Sequence, residues 1–168
     1  STAVERGYAA TTVTEVAERA SCSLQTFYSH FPDKEAAMLA ALDSGSAQML
    51  AAVLPAYRRG GSDWATSMRL ALGALFAFAV AEPAYAELGA VEVFAAGRRA
   101  LRQRDTVMAG LEDLLVPGYR LAPDTPAVAA EAIGGAIYTL VYDQVQARGV
   151  TSLPQIAPLA TYVVLCPF

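Results

Sequence analysis

The stretch TTVTEVAERASCSLQTFYSHFPDK, residues 11–34, decides the fold. It reads as two short helices joined by a tight turn. Glu15 follows Thr12 at a spacing where the Thr hydroxyl accepts an otherwise unpaired backbone N–H and the Glu carboxylate reaches back to the cap. A helix therefore starts at Thr12. Val13, Val16, Ala17 and Ala20 fall at i, i+3, i+4 and i+7, one apolar stripe that leaves Thr14, Glu15, Glu18 and Arg19 to water. Ser21, Cys22 and Ser23 then break the pattern, and Ser23 is a suitable N-cap for a second helix from Leu24 to about His30. Phe27 and Phe31 bracket its buried side. Leu24, Gln25, Thr26, Tyr28, Ser29 and His30 point mostly outward on a helix too short to be stable alone.

Two such helices and their turn fit a helix-turn-helix, whose second helix enters the DNA major groove. The longer run GYAATTVTEVAERASCSLQTFYSHFPDKEAAMLAAL closely resembles the DNA-binding segment of the tetracycline-repressor (TetR) family of bacterial regulators. The resemblance lies in the Gly-aromatic start, Thr-Thr-Val, the Phe-Tyr-x-His-Phe recognition helix and the Lys-Glu that follows, over roughly Glu5 to Leu42. It implies an all-α fold, with a helix-turn-helix headpiece over residues 1–43 and a helical effector-binding and dimerisation domain over residues 44–168. It also implies double-stranded operator DNA as partner and a transcriptional repressor that a small molecule releases. On this reading the DNA-binding candidates are Thr12, Ser23, Leu24, Gln25, Thr26, Tyr28, Ser29, His30 and Lys34. Gln25 and Thr26 are expected near base edges, and Tyr28, His30 and Lys34 around phosphates. The family usually carries Gly in the turn where this chain has Ser21, which implies some backbone strain.

Charge complicates the picture. From Glu5 to Asp43 three basic residues (Arg6, Arg19, Lys34) face six acidic ones (Glu5, Glu15, Glu18, Asp33, Glu35, Asp43), the reverse of the usual DNA-binding footprint. Family members have a full, often basic first helix ahead of the Gly-aromatic pair, whereas only Ser1 to Arg6 precede Gly7 here. Most of that helix is expected to be missing. A helical ligand-binding or protein-interaction domain with lost DNA affinity stays open as the alternative.

The 168 residues, 55% hydrophobic and 17% charged with net charge −4, are enough for a sizeable core. The longest apolar run, Leu70 to Ala81, is bounded by Arg69 and Glu82-Pro83; its twelve residues are too few to span a bilayer and read as a buried helix. No secretory h-region opens the chain, so a cytoplasmic protein without a membrane partner is expected. Cys22 and Cys166 show no CxxC spacing and read as small buried hydrophobes, and one His gives no metal-ligand pattern. No cofactor is expected. An enzyme is disfavoured too: the only His lies in the recognition helix, there is no Gly-rich phosphate loop, and the adjacent Glu112 and Asp113 face different directions on a helix.

Beyond the headpiece, Asp33 caps a long helix with Lys34 in its first turn, running until Leu54-Pro55 begins to break it. Asp63 caps a second, which stops at Glu82-Pro83, and Pro83 starts a third that ends near Gly97. The arginine-rich RRALRQRD at residues 98–105 reads as a solvated helix face paired with Asp105, Glu112 and Asp113, with an anion site as the other reading. That helix is expected to end at Pro117-Gly118. Asp124 or Thr125 is expected to cap the almost uncharged helix around Gly134-Gly135.

The last two helices are more apolar than one protomer can cover, which is how a homodimer seam reads. Its expected residues are Ala132, Gly135, Thr139, Tyr142, Ile156, Ala160 and Val163. The middle helices hold many aromatic and soft side chains, and of these Trp64, Met68, Phe76, Tyr85, Phe94, Tyr138 and Tyr142 are the ligand-binding candidates. Stripes at helical spacing are also what cores look like. An uncharged or weakly polar, partly aromatic effector is the expectation for a mostly apolar pocket with a few Tyr hydroxyls.

Overall fold

The computed structural model describes residues 7–168. The expectation about the first helix concerns Ser1–Arg6, which lie outside the described residues. Among the described residues every regular element is helical: α1 (Val13–Arg19), α2 (Leu24–His30), α3 (Lys34–Arg58), α4 (Trp64–Ala81), α5 (Pro83–Ala90), α6 (Arg98–Glu112), α7 (Val116–Leu121), α8 (Ala129–Arg148) and α9 (Ala157–Leu165). Short 3-10 turns cover Glu92–Phe94, Asp113–Leu115 and Val150–Ile156.

The caps written into the sequence hold the first four helices. Thr12 accepts the Glu15 N–H while its own N–H donates to the Glu15 carboxylate at 2.8 Å, so the reciprocal capping box is complete. Ser23, Asp33 and Asp63 accept the N–H groups of Thr26, Ala36 and Thr66 in the same way. Between α1 and α2, Ser21 takes φ +54°, a left-handed conformation that costs a residue with a Cβ on the order of 1 kcal/mol.

Several boundaries differ from the sequence expectation, each for a local reason. Pro55 does not end α3, which continues to Arg58. The carbonyl that Pro55 leaves without a donor belongs to solvent-exposed Ala51, so water can replace the missing bond. Pro117 opens α7 rather than ending α6, because its missing N–H falls in a first turn where no intrahelical partner exists. The helix begun at Pro83 ends at Ala90 and gives way to the 3-10 turn. Neither Asp124 nor Thr125 caps α8; the Thr125 hydroxyl donates to the Pro167 carbonyl, and the Tyr119 hydroxyl accepts the Ala130 N–H at 2.9 Å. Cys22 is half-buried and Cys166 exposed, so neither is the core residue expected.

Two apolar clusters organise the body. The larger gathers Trp64, Met68, Leu72, Phe76 and Ala79 of α4 with Leu115, Ile133 and Val145, Leu153 of the last 3-10 turn, and Ala160 and Val164 of α9. Trp64 is fixed at its edge: its indole N–H donates to the Leu114 carbonyl at 2.9 Å, Phe168 packs edge-on with ring centres 5.1 Å apart, and Gly118 leaves room for the ring. The smaller cluster joins Met38 and Leu42 of α3 to Leu88, Val93, Ala96 and Ala100, with Tyr8 packed against it. α3 is continuous across residue 43, the expected domain boundary, and packs along α4.

Both α3 and α4 are long and apolar enough, by length and composition, to cross a membrane, which corrects the estimate made from the twelve-residue run alone. In this fold one side of α4 is the spine of the larger cluster.

Ser21→Gly should raise the urea midpoint by an amount worth about 0.5–1 kcal/mol, since Gly adopts positive φ without the Cβ clash. An unchanged or lowered midpoint would show that the turn carries no strain.

Candidate functional site

The recognition helix is built to present one face. Phe27, the one buried residue of α2, anchors it, with Phe31 and Tyr28 rings both 5.5 Å away. Leu24, Gln25, Thr26, Tyr28, Ser29 and His30 are all exposed, the outward set expected from the spacing. Their polar groups are not equally available. Ser23 and Thr26 hydroxyls bond each other at 2.9 Å, the Ser29 hydroxyl donates to the Thr26 carbonyl, and Thr12 is committed to its capping box. Gln25, Tyr28 and His30 carry the remaining polar ends on this face.

Lys34, expected near a DNA phosphate, is engaged within the protein. Its ammonium donates to the carbonyls of Tyr8 and Thr11, both at 2.8 Å, and lies 4.3 Å from the centre of the Tyr8 ring. Charge-assisted bonds of this kind are the strong ones. The side chain thus staples the segment before α1 to the start of α3. From the other side the Tyr8 N–H donates to the Glu92 carboxylate at 2.6 Å, linking the headpiece to the 3-10 turn that follows α5. Burial, with Glu35 and Asp33 nearby, pushes the Tyr8 phenol up.

The body holds a cavity of about 180 Å³ between α3, α4, α5, α6 and α8. Leu42, Met49, Phe76, Val107, Met108 and Ile137 are among its apolar walls. α3 and α5 approach so closely beside it that a Cβ on Gly45 would fall 2.6 Å from the Tyr85 ring. The Tyr138 hydroxyl lies against the carbonyls of Gly89 and Ala90, at 2.9 and 3.0 Å, and pins the last turn of α5. Burial raises the Tyr138 phenol although Arg104 opposes this, so the hydroxyl remains a donor at neutral pH. Two residues beyond Ala90 stands Glu92, the residue that grips Tyr8.

Of the ligand-binding candidates, Phe76, Tyr85 and Tyr138 line this cavity. Met68 lines a smaller neighbouring one, and Trp64 is a core residue bonded to Leu114. Phe94 is half exposed and stands edge-on to Tyr138 and Tyr142, both with ring centres 5.9 Å away, outside the cavity wall. Sequence reasoning did not place Gly45 or Gln103 at the ligand site, and it took in Arg104 only through the anion-site alternative for residues 98–105. Arg104 was legible in principle, because it shares the i, i+3, i+4, i+7 stripe of Leu101, Met108 and Leu111, whereas Arg98, Arg99 and Arg102 fall off that stripe and are exposed. Arg104 pairs with adjacent Asp105 and Arg99 with Glu35; Glu112 instead approaches Gly134.

The expected dimer seam is also redrawn. Ala160 is wholly buried inside the protomer and Ile156 packs against the same cluster, so Ala160 has no surface to offer a partner. Ala132, Gly135 and Thr139 are exposed on one face of α8, Tyr142 and Val163 are half-buried, and the open residues of α9 are Leu159 and Tyr162.

An exposed recognition helix on a two-helix headpiece, joined to an all-helical body with a cavity, defines a helix-turn-helix DNA-binding protein. Residues 2–41 match the profile of the family described as bacterial regulatory proteins, tetR family. The fatty acid degradation regulator FadR from Bacillus halodurans is similar in structure, with TM-score 0.81 at 16% identity over 98% of this chain and 92% of that one. FadR from Bacillus subtilis, solved in complex with stearoyl-CoA, gives 0.80 at 15% identity over 99% and 94%. A tetR-family regulatory protein from Rhodococcus RHA1 gives 0.74 at 20% identity over 96% and 90%. No curated protein matches the sequence. The chain thus carries a DNA-binding segment similar to that of the tetR family at its N-terminus, on an all-helical fold shared with those regulators.

Lys34→Met, which keeps the stem and removes the charge, should cost about 1.5–3 kcal/mol of headpiece stability. Amide exchange at α1 would report it. If exchange is unchanged and only DNA affinity falls, Lys34 serves the phosphate after all.

Proposed function

We propose that the protein is a cytoplasmic homodimeric repressor released from its operator by a small, mostly apolar effector bound in the cavity of the body. The observation that carries this reading is that one helix serves both ends. α3 begins at Lys34 inside the headpiece and, about two to four turns later, supplies Leu42, Gly45, Ser46 and Met49 to the cavity wall. A molecule that presses Tyr85 against Gly45 or draws the Tyr138 hydroxyl from the α5 carbonyls moves the two elements that hold the headpiece, α3 directly and α5 through Glu92. The effector must bind the DNA-free arrangement more tightly, since equal affinity for both shifts nothing. The ligand-bound FadR neighbour supports a ligand-responsive body.

On the DNA, Gln25 is the residue best suited to a base edge and Tyr28 and His30 to the backbone. One headpiece reads a half-site, so two recognition helices must stand about 34–36 Å apart. The faces that suit a two-fold seam are Val128 just before α8 and Ala132, Gly135 and Thr139 on it, with Leu159 and Tyr162 of α9, an open, mostly apolar strip beside the closed core. Nothing lies within 4 Å of a Cβ placed on Gly135, so bulk there leaves the protomer intact.

Apolar compounds that raise the melting temperature should also release a fluorescent duplex taken from upstream of the protein's own gene, read by anisotropy. Compounds that stabilise the protein while anisotropy stays constant would separate the cavity from the switch. Gly135→Glu should sediment as a folded monomer and bind that duplex at least tenfold more weakly; a dimer of unchanged mass would place the seam elsewhere.

A further inference from the structure

Arg104 is the one charged side chain lining the cavity among the described residues, and no carboxylate lines it. Its setting is unlike that of the other arginines of α6. The side chain is one-quarter exposed, and the guanidinium carbon lies 5.3 Å from the Phe94 ring centre and 5.1 Å from that of Tyr138. These two rings, themselves edge-on to each other, hold the guanidinium at the cavity's rim. Arginine stays charged in proteins, so this point of the wall is cationic in every condition the protein meets.

Two of the neighbouring polar groups are already used. The Gln103 amide donates to the Leu39 carbonyl and to the Asp43 carboxylate, and Tyr138 is engaged with Gly89 and Ala90. Arg104 itself is engaged by Asp105 alone among carboxylates: Nε and Nη2 both donate to the single oxygen Oδ1, at 3.0 and 2.6 Å. The Asp105 side chain is 61% exposed, so its hold is screened by water and easily exchanged for that of another anion. A guanidinium fork paired to one oxygen is less than fully satisfied, because its geometry suits two parallel bonds to a carboxylate or phosphate.

We propose that the cavity takes an anionic amphiphile, its apolar body enclosed by Leu42, Met49, Phe76 and Met108 and its carboxylate or phosphate held by Arg104 at the rim. The inference rests on the cavity being the effector site and narrows the ligand class, replacing the uncharged molecule expected from the tyrosines alone. An amphiphilic amine fits poorly, since its charge meets the guanidinium. Phe94, outside the cavity wall, then belongs to the rim that fixes Arg104, with Tyr142 edge-on to Phe94 beside it.

Three probes of equal chain length separate the contributions: dodecanoate, dodecyl phosphate and dodecanol, each titrated below its micelle concentration by calorimetry into the whole chain. At least one anion should bind tenfold or more tightly than dodecanol, and which anion binds better distinguishes a carboxylate from a phosphate head. Arg104→Gln should erase the difference while leaving dodecanol binding as it was. Asp105→Asn, a change at an exposed residue, should tighten the anion severalfold by removing its competitor. Equal binding of alcohol and anions, with no response to either substitution, would overturn the inference and leave the cavity as an apolar effector site. Failure of all three probes to bind would overturn both.

Discussion

The contact on which the architecture turns is the one between Gly45 and the ring of Tyr85. A helix that carries a DNA-reading headpiece has to be held by the body somewhere, and here it is held where a side chain is absent, so that α3 and α5 touch almost backbone to ring. The contact lies between the smaller apolar cluster and the cavity. On one side Met38 and Leu42 meet Leu88 and Val93; on the other the walls open around Phe76 and Tyr138. Close packing makes such a junction respond to displacement as a unit, because neighbours at van der Waals distance cannot absorb it singly.

Polar bonds complete what packing begins. The headpiece is too small to stand on its own buried surface: α1 and α2 each bury one residue. It is tied to the remainder by charged groups acting on backbone, Lys34 on the carbonyls of Tyr8 and Thr11 and Glu92 on the Tyr8 amide. Tyr8 is therefore gripped from α3 and from the turn after α5 at once. Geometry that depends on a few strong, directional bonds can be altered by a few tenths of an ångström at either anchor, whereas a large apolar interface would average such a shift away.

Most of the fold was legible because it is specified locally. Thr12 with Glu15, Ser23, Asp33 and Asp63 announce helix starts by chemistry that acts within one turn, and each does so in the structure. The misreadings share another cause. Pro55 and Pro117 look alike in sequence, and their effect depends on whether a carbonyl is left in water or a first turn is being opened. Lys34 keeps the charge and place that suit a phosphate, and the structure adds backbone carbonyl partners whose position periodicity does not give. Ala160 sits on an apolar stripe that faces inward, and a stripe alone does not say which of two apolar neighbours it meets. Phe76, Tyr85 and Tyr138 were found by aromatic content; Arg104 was hidden among exposed arginines, though its phase on α6 distinguished it.

The environment of Trp64 determines what its light can report. As the chain's one tryptophan, bonded to Leu114 and boxed by Phe168 and Gly118, it belongs to the larger cluster, whereas Tyr8 of the headpiece packs on the smaller one, and it is absent from the cavity wall. Its emission is a gauge of the C-terminal core and is blind to fraying of the DNA-reading helices. A headpiece that melts first does so silently at that wavelength, and a single smooth fluorescence transition is no proof that the whole chain unfolds as one.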